Sequence, residues 1–184
     1  MKKLSISILF ALMTITTANA QNFGVKGGLN ISSLSGEDVE DFDAKTGFHF
    51  GVVAEFMLSE AFAVQPELLF STRGASVSED GDDYSLNLNY ITLPLLAKFY
   101  PVTGFSIEGG VLPAFNISAK EKYNDESADL ENIKNFDFGA AIGAGYVLPS
   151  GLFFQARYNF GLSEIVKDVD AQNRVMQLSI GYLF

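Results

Sequence analysis

Between residues 46 and 58 the chain alternates with a period of two. Phe48, Phe50, Val52, Ala54, Phe56 and Leu58 share one parity, and Gly47, His49, Gly51, Val53, Glu55 and Met57 share the other. The first set is wholly apolar, while the second holds the polar, charged and small residues. That period belongs to a strand, whose successive side chains point to opposite faces. The pattern recurs from Phe62 to Arg73, where Phe62, Val64, Pro66, Leu68 and Phe70 oppose Gln65, Glu67, Ser71 and Arg73. It recurs again from Leu152 to Ser163. An ordinary strand runs about 5–6 residues. These runs are longer, and match the roughly 9–11 residues of a tilted strand that crosses a bilayer.

Eight such segments are read, at about 23–31, 46–58, 62–76, 85–100, 104–118, 135–148, 151–163 and 173–184. The connections alternate in length. Ser59-Glu60-Ala61, Pro101-Val102-Thr103 and Pro149-Ser150 are short, while 32–45, 77–84, 119–134 and 164–172 are long. An even strand number with short turns at one end and long loops at the other is the layout of an outer-membrane barrel. The expected fold is therefore all-β: an eight-stranded antiparallel up-and-down transmembrane β-barrel. A soluble secreted barrel of lipocalin type would instead bury its Phe residues and expose the polar parity.

The first twenty residues read as an address. Lys2 and Lys3 form a basic start, Ile8 to Met13 is an unbroken apolar run, and Ala18-Asn19-Ala20 supplies a small-x-small site. This is the pattern of a secretory signal peptide cut before Gln21. Its apolar core falls short of the roughly 20 residues of a spanning helix. The expected organisation is a signal peptide over 1–20 and one barrel domain over 21–184, placed in the outer membrane.

Charge sorts by position. The net charge is −10, which argues against nucleic acid as a partner, since phosphate binding needs a basic face. Seventeen of the 22 acids fall in the four long segments, all at one end of an up-and-down barrel. Glu55, Glu67 and Glu108 lie deep within strands on the inward parity. There is no cysteine, so disulfides, thiolate metal sites and a cysteine nucleophile are excluded. No Gly-rich nucleotide motif and no cofactor motif is present.

At the C-terminus Leu178, Ile180, Tyr182 and Phe184 alternate with Gln177, Ser179, Gly181 and Leu183, and the chain ends on Phe184. Aromatic residues there fit an interfacial belt. This ending resembles the signal that the barrel assembly machinery reads in its clients. Three further stretches carry a family resemblance: Phe23-Gly24-Val25-Lys26-Gly27-Gly28-Leu29-Asn30, Tyr90-Ile91-Thr92-Leu93-Pro94-Leu95-Leu96-Ala97-Lys98-Phe99, and Phe138-Gly139-Ala140-Ala141-Ile142-Gly143-Ala144-Gly145. Together they resemble the porin-family outer-membrane β-barrel domain, which includes small eight-stranded barrels similar to OmpA and OmpX. The resemblance implies no catalytic residues. It implies the lipid bilayer, lipopolysaccharide and the assembly machinery as partners, and a monomer is expected. Family members often carry Glu at the place of Thr92, so a Glu–Lys bridge from that position is not carried over.

The interior of such a small barrel is just wide enough for side chains. The inward set read from parity is Glu55, Gln65, Glu67, Arg73, Lys98, Glu108, Gln155, Arg157 and Gln177. Both signs occur, and a buried charge without a partner costs several kcal/mol, so internal ion pairs are expected. Gly139, Ala141, Gly143 and Gly145 share the parity of Asp137, a slim inner face with room for Arg157 or water. Pro66 and Pro94 are expected to mark bulges. The lumen is expected to be closed or narrow, giving a structural or interaction role rather than that of a minor pore.

Two chemical readings compete with that role. His49, the only histidine, with Glu55 and a serine would mimic a lipid hydrolase site. A lone inward His is more often a structural hydrogen-bonding residue, and a triad is defined by geometry. The runs 36–41 and 78–83 offer oxygen ligands for Ca²⁺, yet neither has EF-hand spacing. They are read as solvated loop ends, with no resident metal.

Overall fold

In the computed structural model the described residues are 21–35, 43–79, 82–123, 126–130, 133–165 and 171–184. The expected signal peptide, 1–20, lies outside them. Ten strands form one antiparallel sheet. They are β1 (Gln21–Ser35), β2 (Asp43–Met57), β3 (Phe62–Glu79), β4 (Asp82–Thr92), β5 (Leu95–Val102), β6 (Phe105–Tyr123), β7 (Glu126–Asp129), β8 (Phe136–Val147), β9 (Leu152–Gly161) and β10 (Gln172–Leu183).

The sheet closes because β1 pairs with both β2 and β10. β4 and β5 occupy one place in the ring, each pairing β3 on one side and β6 on the other. The ring thus has eight places, matching the eight alternating segments. Phe184 N–H donates to Phe23 O at 2.7 Å and extends the seam to the last residue. Closure removes the unpaired edges that lipid would not satisfy.

Pro94 and Pro66 do not mark bulges. β3 pairs Leu69 with Thr92 on β4 and Pro66 with Leu95 on β5, so the register runs unbroken across Leu93-Pro94. Glu67 N–H still donates to Pro94 O at 2.9 Å. Proline removes a donor without adding a residue, and only an extra residue shifts register. One register shift falls instead beside Asn89-Tyr90, where Asn89 faces Ser118 but Tyr90 faces Asn116, leaving Ile117 extra on β6. Parity from Tyr90 to Lys98 is therefore continuous: Tyr90, Thr92, Leu96 and Lys98 all point inward and are buried.

The ring has two distinct ends. Three short turns lie at one end, and Gly104 and Gly151 there hold φ of 84° and 90°, left-handed values that glycine takes without a Cβ clash. At the other end the strands run further than the sequence reading placed them. Residues 77–79 and 82–84 belong to the β3–β4 hairpin, and 119–123 belong to β6. With 19 residues, β6 extends about 60 Å at the usual rise, well beyond an apolar band of about 25 Å.

Phe50, Val52, Phe62, Leu68, Ile107, Ile142, Phe154 and Ile180 stand exposed on the outer face. Above that belt β4 shows the opposite pattern. Leu86, Leu88 and Tyr90 are buried inside, while the outer parity becomes Ser85, Asn87 and Asn89. An outer face that turns polar is one that meets water.

Candidate functional site: the lumen

The inner parity builds a column of side chains, and β3 reaches most of it. At the short-turn end Val53, Phe153 and Leu183 form an apolar cluster with Val147 packed on it. At the same end, on the β2–β3–β5 side, Lys98 Nζ donates to Glu55 Oε2 at 2.6 Å and to Gln65 Oε1 at 3.0 Å. Tyr100 Oη donates to the same Glu55 oxygen at 2.6 Å.

Next comes the central charge cluster. Arg157 grips Glu67 through Nη1 (3.0 Å) and Nη2 (2.8 Å), and its Nε donates to Glu108 at 2.8 Å. Lys26 Nζ lies 2.9 Å from the other side of Glu67 and donates to Gln155 at 2.7 Å. Gln155 Nε2 in turn donates to Glu108 at 2.7 Å. The side chains of Lys26, Glu67, Glu108 and Arg157 are wholly buried. Removing such ions from water costs several kcal/mol each, which only close, multiply hydrogen-bonded pairing offsets. The two-pronged Arg–carboxylate contact is the strong form of that pairing.

Gly143 makes the cluster possible. It stands between Glu108 and Arg157 in the ladder. A Cβ there would meet Ala156 O at 2.6 Å, Glu108 Oε1 at 3.0 Å and Arg157 Cα at 3.1 Å. Glycine on the intervening strand lets the two charges meet across it.

A neutral layer follows. Asn30 Nδ2 donates to Ser71 Oγ and to Thr72 O, at 3.0 and 2.7 Å. Its Oδ1 accepts from Gln177 Nε2 at 3.0 Å and lies 2.8 Å from His49 Nδ1. That arrangement assigns the proton to Nδ1 of His49, and leaves Nε2, 2.8 Å from Ser179 Oγ, as acceptor of the serine hydroxyl. Across the barrel Leu96, Leu112 and Ala141 pack together.

Toward the long-loop end Arg73 Nη1 lies 3.2 Å from Asp137 Oδ2, and the guanidinium sits 4.7 Å from the Tyr90 ring centroid. Asp137 also accepts from Asn173 Nδ2 at 2.9 Å and from Ser163 Oγ at 2.7 Å. The column ends in an apolar cap of Leu86, Leu88, Tyr90, Ala114, Ile165 and Ala171, with Leu130 and Ile133 packed on it.

All nine residues of the expected inward set are buried in this column. The column also holds Lys26, Asn30 and Asn173, which the inward set lacks, and Asn159, which shares the parity of Gln155 and Arg157. Lys26 and Asn30 alternate with Val25, Leu29 and Ile31, so strict parity would have found them. Glu55 and His49 do not form a site together: Glu55 serves Lys98 and Tyr100, while His49 serves Asn30 and Ser179. Ser179, His49 and Asn30 have the hydrogen-bond order of a hydrolytic triad, but all three are buried inside the closed sheet. At the C-terminus Leu178, Ile180, Tyr182 and Phe184 stand exposed on the outer face. Among the described residues no cluster of His, Cys, Asp or Glu is arranged to hold a metal. Residues 36–41 and 80–81 of the two acidic runs lie outside the described set.

A closed antiparallel ring with an apolar outer belt and paired charges within is a transmembrane β-barrel. The chain belongs to the outer membrane protein beta-barrel domain family, whose model matches residues 17–167, and it resides in the outer membrane of Gram-negative bacteria. The same fold is found in Ail, the attachment invasion locus protein of Yersinia pestis, at 16% identity and a TM-score of 0.57, over 89% of this chain and 98% of that one. Neisserial surface protein A gives 12% identity and a TM-score of 0.61, over 90% and 100% of the two chains. No curated protein matches the chain at the sequence level. In this family of folds short turns face the periplasm and long loops the exterior, which orients the two ends described above.

Proposed function

We propose that this protein is a closed, monomeric, non-enzymatic barrel whose role is to anchor and display its acidic extracellular end. One observation carries the reading. The lumenal cations Lys26, Arg73, Lys98 and Arg157 are each within 3.2 Å of a lumenal carboxylate, and an apolar cluster packs across the long-loop end. A solute path needs water-filled width or free charges, and this column offers its charges to one another. Contacts with the bilayer and lipopolysaccharide fall to the outer belt and the protruding strands. Leu178, Ile180, Tyr182 and Phe184 would be read by the assembly machinery during insertion.

Purified protein in planar bilayers tests the closed lumen. The expected trace shows no reproducible conductance steps; regular steps would make the protein a minor porin. The buried Ser179–His49–Asn30 arrangement is tested with a serine-reactive fluorophosphonate. No labelling is expected, because an ester cannot reach a hydroxyl enclosed by the sheet. Labelling of Ser179 that disappears in His49→Ala would establish a lipid hydrolase instead.

A further inference from the structure

The upper lumen holds a second arrangement that the ion pairs do not account for. Arg73, Asn159 and Asn173 are 8%, 4% and 2% exposed. Within them Arg73 Nε, Asn159 Oδ1 and Asn173 Oδ1 have no protein hydrogen-bond partner. All three residues line the same small cavity, which is walled also by Leu112, Gly139, Val175 and Asp137, whose carboxylate is already held by Arg73 Nη1, Asn173 Nδ2 and Ser163 Oγ. The orientation of Asn173 is set elsewhere, since its Nδ2 donates to Asp137. Its Oδ1 is therefore the atom left over.

The chemistry of the three atoms is specific. Arg73 Nε–H is a donor, and the two amide oxygens are acceptors. A ligand here must accept one hydrogen bond and donate two. A halide has nothing to donate to the oxygens, and a protonated oxyanion is too large for a cavity of about 10 Å³. A metal cation would sit against the guanidinium. An ammonium ion has no lone pair for Nε–H. The cavity has a volume of about 10 Å³, roughly the space of one water molecule, and buried waters make about three hydrogen bonds.

We propose that this cavity is a binding site for a single, slowly exchanging water molecule, held by Arg73 Nε, Asn159 Oδ1 and Asn173 Oδ1. The water completes the Arg73–Asp137 layer under the apolar cap. The cap and the sheet around the cavity slow its exchange with bulk, which ties its lifetime to the closed lumen proposed above. Occupancy itself does not depend on that reading.

Isotope-labelled protein refolded in lipid nanodiscs tests the site by water-selective nuclear Overhauser measurements. The expected result is a cross-peak between water and the Arg73 Nε proton, opposite in sign in the rotating-frame experiment, which excludes simple proton exchange. In Asn159→Leu, which fills the space and removes one acceptor, the cross-peak is lost. Heat-modifiable gel migration confirms that the variant still folds. If it does not fold, the wild-type measurement stands alone. No water cross-peak in the wild type, or its persistence in a folded Asn159→Leu, overturns the proposal. So does an anomalous bromide peak at this position in crystals grown with bromide, which would mark an anion site. Conductance in planar bilayers with the cross-peak intact would sink only the closed-lumen reading.

Discussion

Arg157 binds two carboxylates at once, and each of its partners has further donors. Removing its charge in Arg157→Met leaves Glu67 with Lys26 and Glu108 with only Gln155. Breaking a buried ion pair from one side costs about 3–5 kcal/mol, so the midpoint of urea unfolding, followed by gel migration, should fall clearly. Exchanging the partners together, in Arg157→Met with Glu108→Gln, should recover part of that loss, because fewer unpaired charges remain. Gly143→Ala tests the space between them. Its Cβ meets main chain at 2.6 Å, and overpacking of this kind costs about 1–3 kcal/mol. The expected outcome is a lowered unfolding midpoint with the barrel still assembled. A neutral effect would mean that the strand shifts freely to admit the methyl group.

Strands set the next level of behaviour. From Met176 onward the outer parity of β10 is apolar to the last residue of the chain, and Tyr182 packs edge-on against Phe184 at 5.6 Å between ring centroids. Deleting Phe184 removes that contact and the final hydrogen bond to Phe23. Assembly in cells should slow, seen as a smaller heat-modifiable fraction, while refolding into detergent is affected little. Equal losses in both would assign Phe184 to stability rather than recognition. In β4 the same parity carries lipid-facing Ile91 and water-facing Asn87 and Asn89, with Leu86 and Leu88 inside. Leu88→Ala should cost about 2–5 kcal/mol of local packing. The cap lies above the membrane belt, so the expected readout is faster proteolysis of the outer segments with the membrane band still protected.

On the scale of the whole molecule the barrel has two solvents. Its middle is inside-out, with apolar groups facing lipid and charges inside, whereas its outer end has an apolar core like that of a soluble protein. A positive charge placed on the belt, as in Leu178→Arg, should destabilise by about 2–4 kcal/mol if it lies near the midplane and by about 0–1 near an interface. A series along β10, read by urea midpoints in liposomes, would map the depth of each position.

Much of this was legible in the chain itself. The period of two located the eight places of the ring, because a strand between lipid and a packed lumen must alternate, while the extensions of β1, β3 and β6 at the long-loop end and the strand β7 fall in segments read as loops. The same parity placed Glu67, Arg157 and seven others inside. It also assigns Lys26 and Asn30 inward, although their small, glycine-rich surroundings masked the alternation. What the chain by itself determined was the face each side chain takes, since that depends only on neighbours two residues apart. What only the tertiary structure decided was partnership. Arg157 meets Glu67 ninety residues away, His49 meets Asn30 and Ser179 rather than Glu55, and Leu88 joins Ile165 in a cap. Those choices rest on the stagger of strands around a closed ring, where register and tilt bring distant residues to one height. The prolines show the same limit: a missing donor is visible in one residue, but whether register shifts depends on the count of residues in the strand opposite.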